Sequence, residues 1–193
     1  MRAVLLSVKP QHIQNICEVI GESNGKPLYK KTIEVRKSKP KLETPFKVYI
    51  YCTKEKRKDD FITISGVFGL IRCPECAIYN RAKEYDCNGK VIGEFVCDRI
   101  EFISPEWRYL DARCVDGAGY ILGKSCLTSQ QLLDYGQGKP LYGWHISNLV
   151  IYDKPKELSE FEFPKDNIHL SYRKRNQYFK GITRPPQSWC YVE

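Results

Sequence analysis

The chain has 193 residues, of which 42% are hydrophobic and 12% aromatic, with nine cysteines and a net charge of +8. This length is enough for one domain with a sizeable buried core. No stretch approaches the roughly 20 apolar residues of a membrane span, and the first residues lack a signal-peptide pattern. We therefore expect a protein that is neither secreted nor transmembrane, with reduced cysteines in the cytoplasm.

The positive charge is unevenly distributed along the sequence. Residues 26–58 hold twelve Lys and Arg against three acidic residues, and residues 169–193 hold five against one. The rest of the chain sums to −5. A fold that brings the two segments together would present a positive face suited to nucleic acid or phosphate, whereas the alternative is a charge that serves only solubility.

The N-terminal part of the chain predicts a strand followed by a helix. Residues 2–8 are largely apolar, and Pro10 suits the first turn of a helix, where a missing N–H is not needed. Apolar residues at helical spacing continue as far as Gly21, and turn-forming residues follow as far as Pro27. We therefore expect a buried strand over 2–8 and a helix from Pro10 to about Gly21.

Two further strands are predicted at 32–36 and 46–53. The first alternates strictly, which places Thr32, Glu34 and Arg36 on one face of a half-buried strand. A short loop rich in Lys and Pro joins the two strands. We expect them to form a basic two-stranded ribbon.

The middle of the chain is less regular. Residues 61–71 look extended, and residues 72–88 are polar and read as an elaborated loop. An Asn-Gly pair ending at Gly89 then predicts a tight turn into a strand over 90–97 that continues through Ile103.

The C-terminal half predicts one short helix and one long strand. Thr128 and Gln131 have the spacing of a capping box, and Gly136 and Gly138 end the helix that follows. Residues 141–152 are aromatic and β-branched, which is typical of a strand. Several irregularly spaced strands with two or three short helices predict an α+β barrel rather than alternating β-α-β units.

The segment before and within the strand at 32–36 carries the most suggestive chemistry. If Lys31 lies in the turn before the strand, its amine can converge on Glu34 and Arg36. An Arg fork can hold a phosphate or a base edge, and a partly desolvated Lys can act as a general base. The alternative is an exposed strand with charge pairs worth less than about 1 kcal/mol each.

A second candidate is the cysteine cluster of the elaborated loop. Cys73 and Cys76 form a CxxC pair, and Cys87 follows eleven residues later. Zinc takes four ligands, and Cys97 or Cys114 would have to supply the fourth. The alternatives are ordinary reduced cysteines, redox chemistry, or a loop that serves as a protein contact surface.

The third candidate is the C-terminal tail, which interleaves aromatic rings with cations. This pairing can stack bases while following phosphates, and we assign Arg173 and Tyr178 as contacts and give Arg175 no role. The alternative is that the aromatic rings pack the tail onto the domain. We prefer that interpretation for Trp189 and Tyr191.

The strand at 141–152 offers rings but no catalytic motif. Tyr142, Trp144 and Ile146 alternate on one face and are expected to line the core or a cleft, while His145 points the other way. The three histidines share no spacing, so the sequence predicts no catalytic triad. It also contains no Gly-rich phosphate loop.

The order of these motifs resembles the ASCH domain family of the PUA-like superfamily, including its bacterial and prophage-borne members. The family signature is Gly-x-Lys-x-x-Glu-x-Arg, which Lys31, Glu34 and Arg36 match, whereas Tyr29 occupies the Gly position. The other matching segments are 5–10, 48–51, 89–95, 142–149, 152–155 and 184–192.

The resemblance implies an open, PUA-like β-barrel with short flanking helices. It covers residues 1–162 as the ASCH domain, with a cysteine-containing insertion at about 57–88, and leaves residues 163–193 as a basic, aromatic tail. It also implies a cleft lined by the signature residues and a ligand that is RNA or nucleoside-like.

Two functions follow from the resemblance and the motifs. The first is a module that binds RNA or a modified nucleoside. Its expected contacts are Lys30, Lys31, Glu34, Arg36, Lys37, Arg173 and Tyr178.

The alternative is a hydrolase that acts on an acylated cytidine-type amide or an RNA phosphodiester through Lys31, Glu34 and Thr32. The amidohydrolases of the family carry Lys-Thr-Ile-Thr-Ile-Arg, and here Glu34 replaces the nucleophilic Thr. The sequence gives no oligomeric state and no cofactor beyond the zinc candidate.

Overall fold

The computed structural model describes residues 2–54, 63–65, 84–105, 118–164 and 181–193. These residues form twelve strands and three α-helices, which confirms the α+β class. The helices are α1 (Pro10–Cys17), α2 (Ala118–Ser125) and α3 (Ser129–Gly136), with a 3-10 helix at Leu158–Glu160. The strands are β1 (Ala3–Val8), β2 (Val19–Ser23), β3 (Lys26–Tyr29), β4 (Ile33–Arg36), β5 (Phe46–Cys52), β6 (Thr63–Ser65), β7 (Glu84–Asp86), β8 (Val91–Cys97), β9 (Ile100–Ile103), β10 (Leu141–His145), β11 (Ser147–Lys156) and β12 (Trp189–Val192).

The chain divides into two compact units. The first unit comprises Met1–Gln14, Lys47–Phe95 and Leu149–Glu193, and the second comprises Asn15–Phe46 and Val96–Asn148. The closure of the sheets into a barrel stays a prediction, as does the boundary at residue 162. None of the helices in the described ranges is long and apolar enough to cross a membrane.

The first unit is built on a five-stranded sheet in the order β11-β8-β5-β1-β12. β1 runs parallel to β5 and antiparallel to β12, so it has a neighbour on each side. All six residues of β1 are buried. This explains its nearly continuous apolar sequence, since a central strand covered on both faces has no solvent side to alternate with.

The C-terminal residues belong to the first unit because β12 pairs with β1. The Ser7 hydroxyl also donates a hydrogen bond to the Pro186 carbonyl at 2.7 Å, and the rings of Trp189 and Tyr191 meet edge to face at 5.4 Å. The pairing of β12 with β1 confirms that this segment packs onto the unit, as expected. The core of this unit is formed by Ala3, Leu5, Tyr51, Val91, Leu158, Phe161, Ile182 and Val192.

The second unit is built on a three-stranded sheet in the order β4-β10-β9, with both pairs antiparallel. Its core contains apolar residues of all three strands together with residues of α2 and α3. They are Ile33, Val35, Ile103, Ile121, Leu132 and Leu141. Gly143 of β10 lies on this face, where a Cβ would come within 3.0 Å of the Ile33 side chain. One face of the sheet therefore packs on α2 and α3.

The local signals at α3 and β8 are confirmed. The Gln131 N–H donates to the Thr128 hydroxyl at 3.2 Å, and the Thr128 N–H donates to the Gln131 side chain at 2.8 Å. Gln137 ends α3 in the left-handed conformation with φ of 51°, and Gly138 follows with φ of 74°. Gly89 has φ of 78° in the turn that leads into β8.

The predicted helix from Pro10 is shorter than expected. It ends at Cys17, and the following residues form the hairpin β2–β3, so the prediction of helix as far as Gly21 is wrong. Asn24 and Gly25 both have positive φ, which matches the twist of a two-residue hairpin turn. The backbone on both sides of the hairpin turn is extended. Ile20 therefore lies on a strand, where it is exposed.

The predicted basic ribbon is also wrong. β4 pairs with β10, and β5 pairs with β1 and β8, so the two strands belong to different sheets. Val48 and Ile50 of β5 are buried opposite Val4 and Leu6 of β1, whereas the apolar residues of β4, Ile33 and Val35, are buried in the core of the second unit.

Two predicted strands are each divided in the structure. The strand expected over residues 90–103 forms β8 and β9, which lie in different sheets. The strand expected over 141–152 forms β10 and β11, with a break at Ile146. Within the predicted insertion, the described residues form the antiparallel pair β6–β7.

A hydrogen-bonded carboxylate on the sheet of the first unit gives a pH-dependent contribution to stability. Lys47 donates to Glu94 Oε1 at 2.7 Å, and the Tyr152 hydroxyl donates to Oε2 at 2.6 Å. Burial alone would raise the pKa of Glu94, but these two donors outweigh it and lower the pKa below its ordinary value of 4.5. Glu94 therefore stabilises the fold above the unfolded pKa, and this contribution is lost as the pH falls through the folded pKa.

We predict that Glu94→Gln lowers the free energy of unfolding by about 1–2 kcal/mol at pH 7, because a charged acceptor is replaced by a neutral one. Urea unfolding of both proteins at neutral pH and well below pH 4.5 measures the difference. The difference should narrow in acid, where Glu94 itself becomes neutral. Tyr152→Phe is the matched control, since it removes one donor and keeps the carboxylate; a Glu94→Gln deficit that is constant with pH would contradict the prediction.

Candidate functional site

Three charged side chains converge at the start of β4, as the sequence predicted. Lys31 lies in the turn before the strand, and its Nζ is 2.7 Å from Glu34 Oε2. Arg36 Nη2 is 2.8 Å from the other carboxylate oxygen, Oε1. We call Lys31, Glu34 and Arg36 the charged triad.

The backbone before β4 is fixed by hydrogen bonds to other parts of the second unit. The Lys31 N–H donates to the Asn15 carbonyl at 3.1 Å, and the Thr32 N–H donates to the Lys124 carbonyl at 2.9 Å. The Thr32 carbonyl accepts from the Ile146 N–H at 2.9 Å. Thr32 therefore lies in a loop that these backbone hydrogen bonds hold in place, rather than in the strand that the alternation predicted. These bonds hold the Lys31 amine at one place relative to Glu34.

The charged triad is buried. The exposed fraction is 1% for Lys31, 4% for Glu34 and 9% for Arg36. The expected half-buried strand is therefore wrong, because all four residues of β4 are buried. Ionised groups out of water are costly unless they are paired, and here two cations share one carboxylate, so the three groups together carry a formal charge of +1.

A buried tryptophan lies beside the charged triad. In the antiparallel register Trp144 of β10 is directly opposite Glu34, which places both side chains on one face of the sheet. Trp144 is fully buried, and its ring meets that of Phe46 edge to face at 5.8 Å. The expectation that Trp144 lines the core is confirmed.

The expected nucleic-acid contacts around the charged triad separate into buried and exposed groups. Lys30 is turned toward Glu18, with Nζ and Oε2 2.8 Å apart at the surface. Lys37 places its Nζ 4.9 Å from the centroid of the Tyr135 ring. The structure therefore brings Lys31, Glu34 and Arg36 together and leaves Lys30 and Lys37 at the surface.

A further lysine beyond β4 also lies close to aromatic rings. The Nζ of Lys39 lies 5.8 Å from the centroid of the Tyr142 ring, and the rings of Tyr142 and Phe102 meet at 5.9 Å. Sequence reasoning assigned Tyr142 to the core or a cleft wall and overlooked Lys39 and Phe102. The alternation of Ile100 and Phe102 indicates that both side chains lie on one face of β9. It does not show which strand pairs with β9.

The opposite face of the same sheet carries a second charged cluster that the sequence did not predict. His145 Nε2 and Arg99 Nη2 each lie 3.0 Å from Glu101 Oε1. Tyr120 of α2 stacks on the His145 ring at 6.4 Å between centroids. As expected, His145 points away from the face of Trp144. Its role cannot be read from sequence spacing, since its partners come from other elements.

The cysteine candidate is only partly within the described residues. Cys87 is buried, whereas Cys73 and Cys76 lie outside the described ranges. Among the residues that the structure describes, no group of three or more His, Cys, Asp or Glu could hold a metal ion. The zinc site therefore stays a prediction. The tail residues Arg173, Arg175 and Tyr178 also lie outside the described ranges.

Comparison with known proteins returns solved structures but no family model and no curated protein. ASCH from Zymomonas mobilis is 17% identical, with a TM-score of 0.46, and the match covers 99% of this chain and 87% of that chain. Two mutants of that protein match at 18% identity with a TM-score of 0.45, covering 99% and 90%, and at 16% with 0.46, covering 99% and 88%. At these identities and TM-scores the likeness concerns the fold alone.

We predict that Glu34→Ala lowers the free energy of unfolding by about 3–5 kcal/mol, because it leaves two buried cations without their shared carboxylate. Glu18→Ala is the matched control, since it removes an ion pair of similar length at the surface, where such pairs are worth at most about 1 kcal/mol. Equilibrium urea unfolding measures both. Equal losses for the two variants would contradict the buried pairing.

Proposed function

We propose that this chain is an RNA-binding module of the ASCH type, which holds RNA or a modified nucleoside at the surface around β4. The observation that carries the proposal is that two exposed lysines following this strand each lie over an aromatic ring. Lys37 lies over Tyr135 and Lys39 over Tyr142, next to the charged triad. Cations follow phosphates and aromatic faces accept bases, so this combination suits a nucleic-acid strand.

The local charge supports the same conclusion. Residues 26–46 of the second unit hold seven Lys and Arg and two Glu. Exposed cations attract a polyanion over distances of about a Debye length, whereas the buried ones act only on groups that approach β4 closely. The positive sign of the segment therefore favours the phosphate backbone as the partner.

The buried and exposed residues have different roles in this proposal. Lys30 and Lys37 at the surface contact phosphates, whereas Arg173 and Tyr178 stay contacts predicted from the sequence. The charged triad is too deeply buried to act as an open docking surface. Its role is to hold the Arg36 guanidinium in one orientation at the edge of the site, where Lys31 and Glu34 restrict its rotamers.

We predict that Lys37→Ala/Lys39→Ala weakens binding to a short unstructured single-stranded RNA and makes binding less dependent on salt. For single strands each phosphate contact contributes roughly 0.7 to the slope of log affinity against log salt, so two contacts would lower its magnitude by about 1.4. Fluorescence anisotropy over a salt series measures the slope.

Lys154→Ala/Lys156→Ala, which removes two exposed lysines of the first unit, is the charge-matched control and should leave the slope unchanged. Unchanged RNA affinity in both Lys37→Ala/Lys39→Ala and Lys31→Ala/Arg36→Ala would contradict the proposal.

A second candidate function is a hydrolase acting on a nucleoside amide or an RNA phosphodiester. The observation that favours it is the separation of 2.7 Å between Lys31 Nζ and Glu34 Oε2, a distance over which a proton can pass. In amide hydrolysis the pair would take a proton from an attacking water, whose oxygen bonds to the carbonyl carbon, and return a proton to the amine as the C–N bond breaks. If the Thr32 hydroxyl attacks instead, the acyl group passes to Thr32, and a water then releases it as the acid. Arg36 would stabilise the oxyanion that forms on the carbonyl.

We predict for the hydrolase that Lys31→Met abolishes turnover while the chain remains folded. Methionine fills a similar volume and leaves Glu34 and Arg36 as a one-to-one pair. Product formation from a panel of acylated nucleosides and RNA, with circular dichroism as the folding check, measures the effect. Absence of any product with the wild-type chain would exclude this candidate and leave RNA binding standing.

A further inference from the structure

A straight row of three side chains crosses the sheet of the second unit. Tyr142 of β10 is directly opposite Arg36 of β4 on one side and Phe102 of β9 on the other. Residues directly opposite each other on paired strands point to the same face. The row therefore runs from the buried guanidinium of the charged triad through a phenol ring to a phenyl ring.

Exposure increases steadily along this row. Arg36 is buried, Tyr142 is half-buried, and Phe102 is 63% exposed. The Phe102 and Tyr142 rings meet at an interplanar angle of 70°, so the two rings support each other while Phe102 remains largely open to solvent. A large exposed aromatic side chain next to cations is a feature of a binding surface more than of a core.

The charges beside the rings narrow the class of ligand. The Lys39 ammonium lies over Tyr142, and Arg36 lies at the buried end of the row. A ligand that lies along the row meets a flat apolar ring at one end and positive charge at the other. A nucleotide has this chemistry, since its base is a flat ring and its phosphate is an anion.

We propose that Phe102, supported edge to face by Tyr142, is a stacking platform for one unpaired base of single-stranded RNA, with the adjoining phosphate directed toward Lys39. This inference rests on the proposed RNA-binding function and names the side chains that receive the base. The base must be unpaired, because bases inside a duplex have no free face on which to stack. Every base has a π-face, so the platform tolerates different sequences.

The test compares Phe102→Ala with the wild-type chain on two ligands, a short unstructured RNA and a strand of the same length that lacks bases. On the RNA the variant should bind roughly five- to 150-fold more weakly, which is the usual range for loss of one aromatic stack. On the base-free strand the two proteins should bind equally. Phe102→Trp should restore binding to the RNA.

Ile20→Ala is the matched control, because Ile20 is exposed to a similar degree, 64% against 63% for Phe102, and lies on β2. It should bind RNA like the wild-type chain. A 2-aminopurine placed in the RNA gives an independent signal, since its fluorescence is quenched on stacking. Quenching should occur with the wild-type chain and with Phe102→Trp, and should be lost with Phe102→Ala.

The possible outcomes separate this inference from the function on which it rests. If the wild-type chain binds no RNA, the proposed function fails and the platform fails with it. If the wild-type chain binds RNA and Phe102→Ala binds equally well, the platform alone is overturned. Equal losses on RNA and on the base-free strand would also overturn it, because the effect would then not be stacking.

Discussion

The buried carboxylate of Glu34 is the constraint around which the second unit is organised. Its two oxygens lie 2.7 Å from Lys31 Nζ and 2.8 Å from Arg36 Nη2. Charges this far from water are tolerated only when their partners are held in place, which here requires a pinned loop before β4 and a full antiparallel pairing with β10. Trp144, opposite Glu34 on the same face, completes the enclosure. The pairing of β4 with β10 and the pairing of its buried charges therefore depend on each other.

The charged residues around β4 in the second unit therefore form two parts, one buried and one exposed. The buried part fixes geometry, because ions paired in a medium of low polarity have few alternative positions. The exposed part, with Lys37 over Tyr135 and Lys39 over Tyr142, is free to meet a ligand. Arg36 belongs to the buried part by its pairing and to the exposed part by its place beside Tyr142. A ligand at the surface would therefore interact with the charged triad through Arg36.

The elements that could be predicted from sequence are those with local causes. The capping box of α3 and the left-handed Gly89 depend on residues within one turn of each other, and both were found as expected. Strand partners could not be predicted in the same way. β4 and β5 follow each other in sequence but join different sheets, because pairing is decided by which apolar faces can be buried together. The helix α2 was not predicted, since two of its eight residues are glycines, which disfavour a helix.

The sequence by itself placed Lys31, Glu34 and Arg36 within reach of one another, because all three lie within six positions of the chain. It also determined the α+β class and the positive sign of the segment. Only the tertiary structure decided that the triad is buried, and that Tyr142 and Phe102 stand in one row with Arg36. The physical reason is that neighbours across a sheet are set by strand pairing and register, and these depend on distant segments finding a common core.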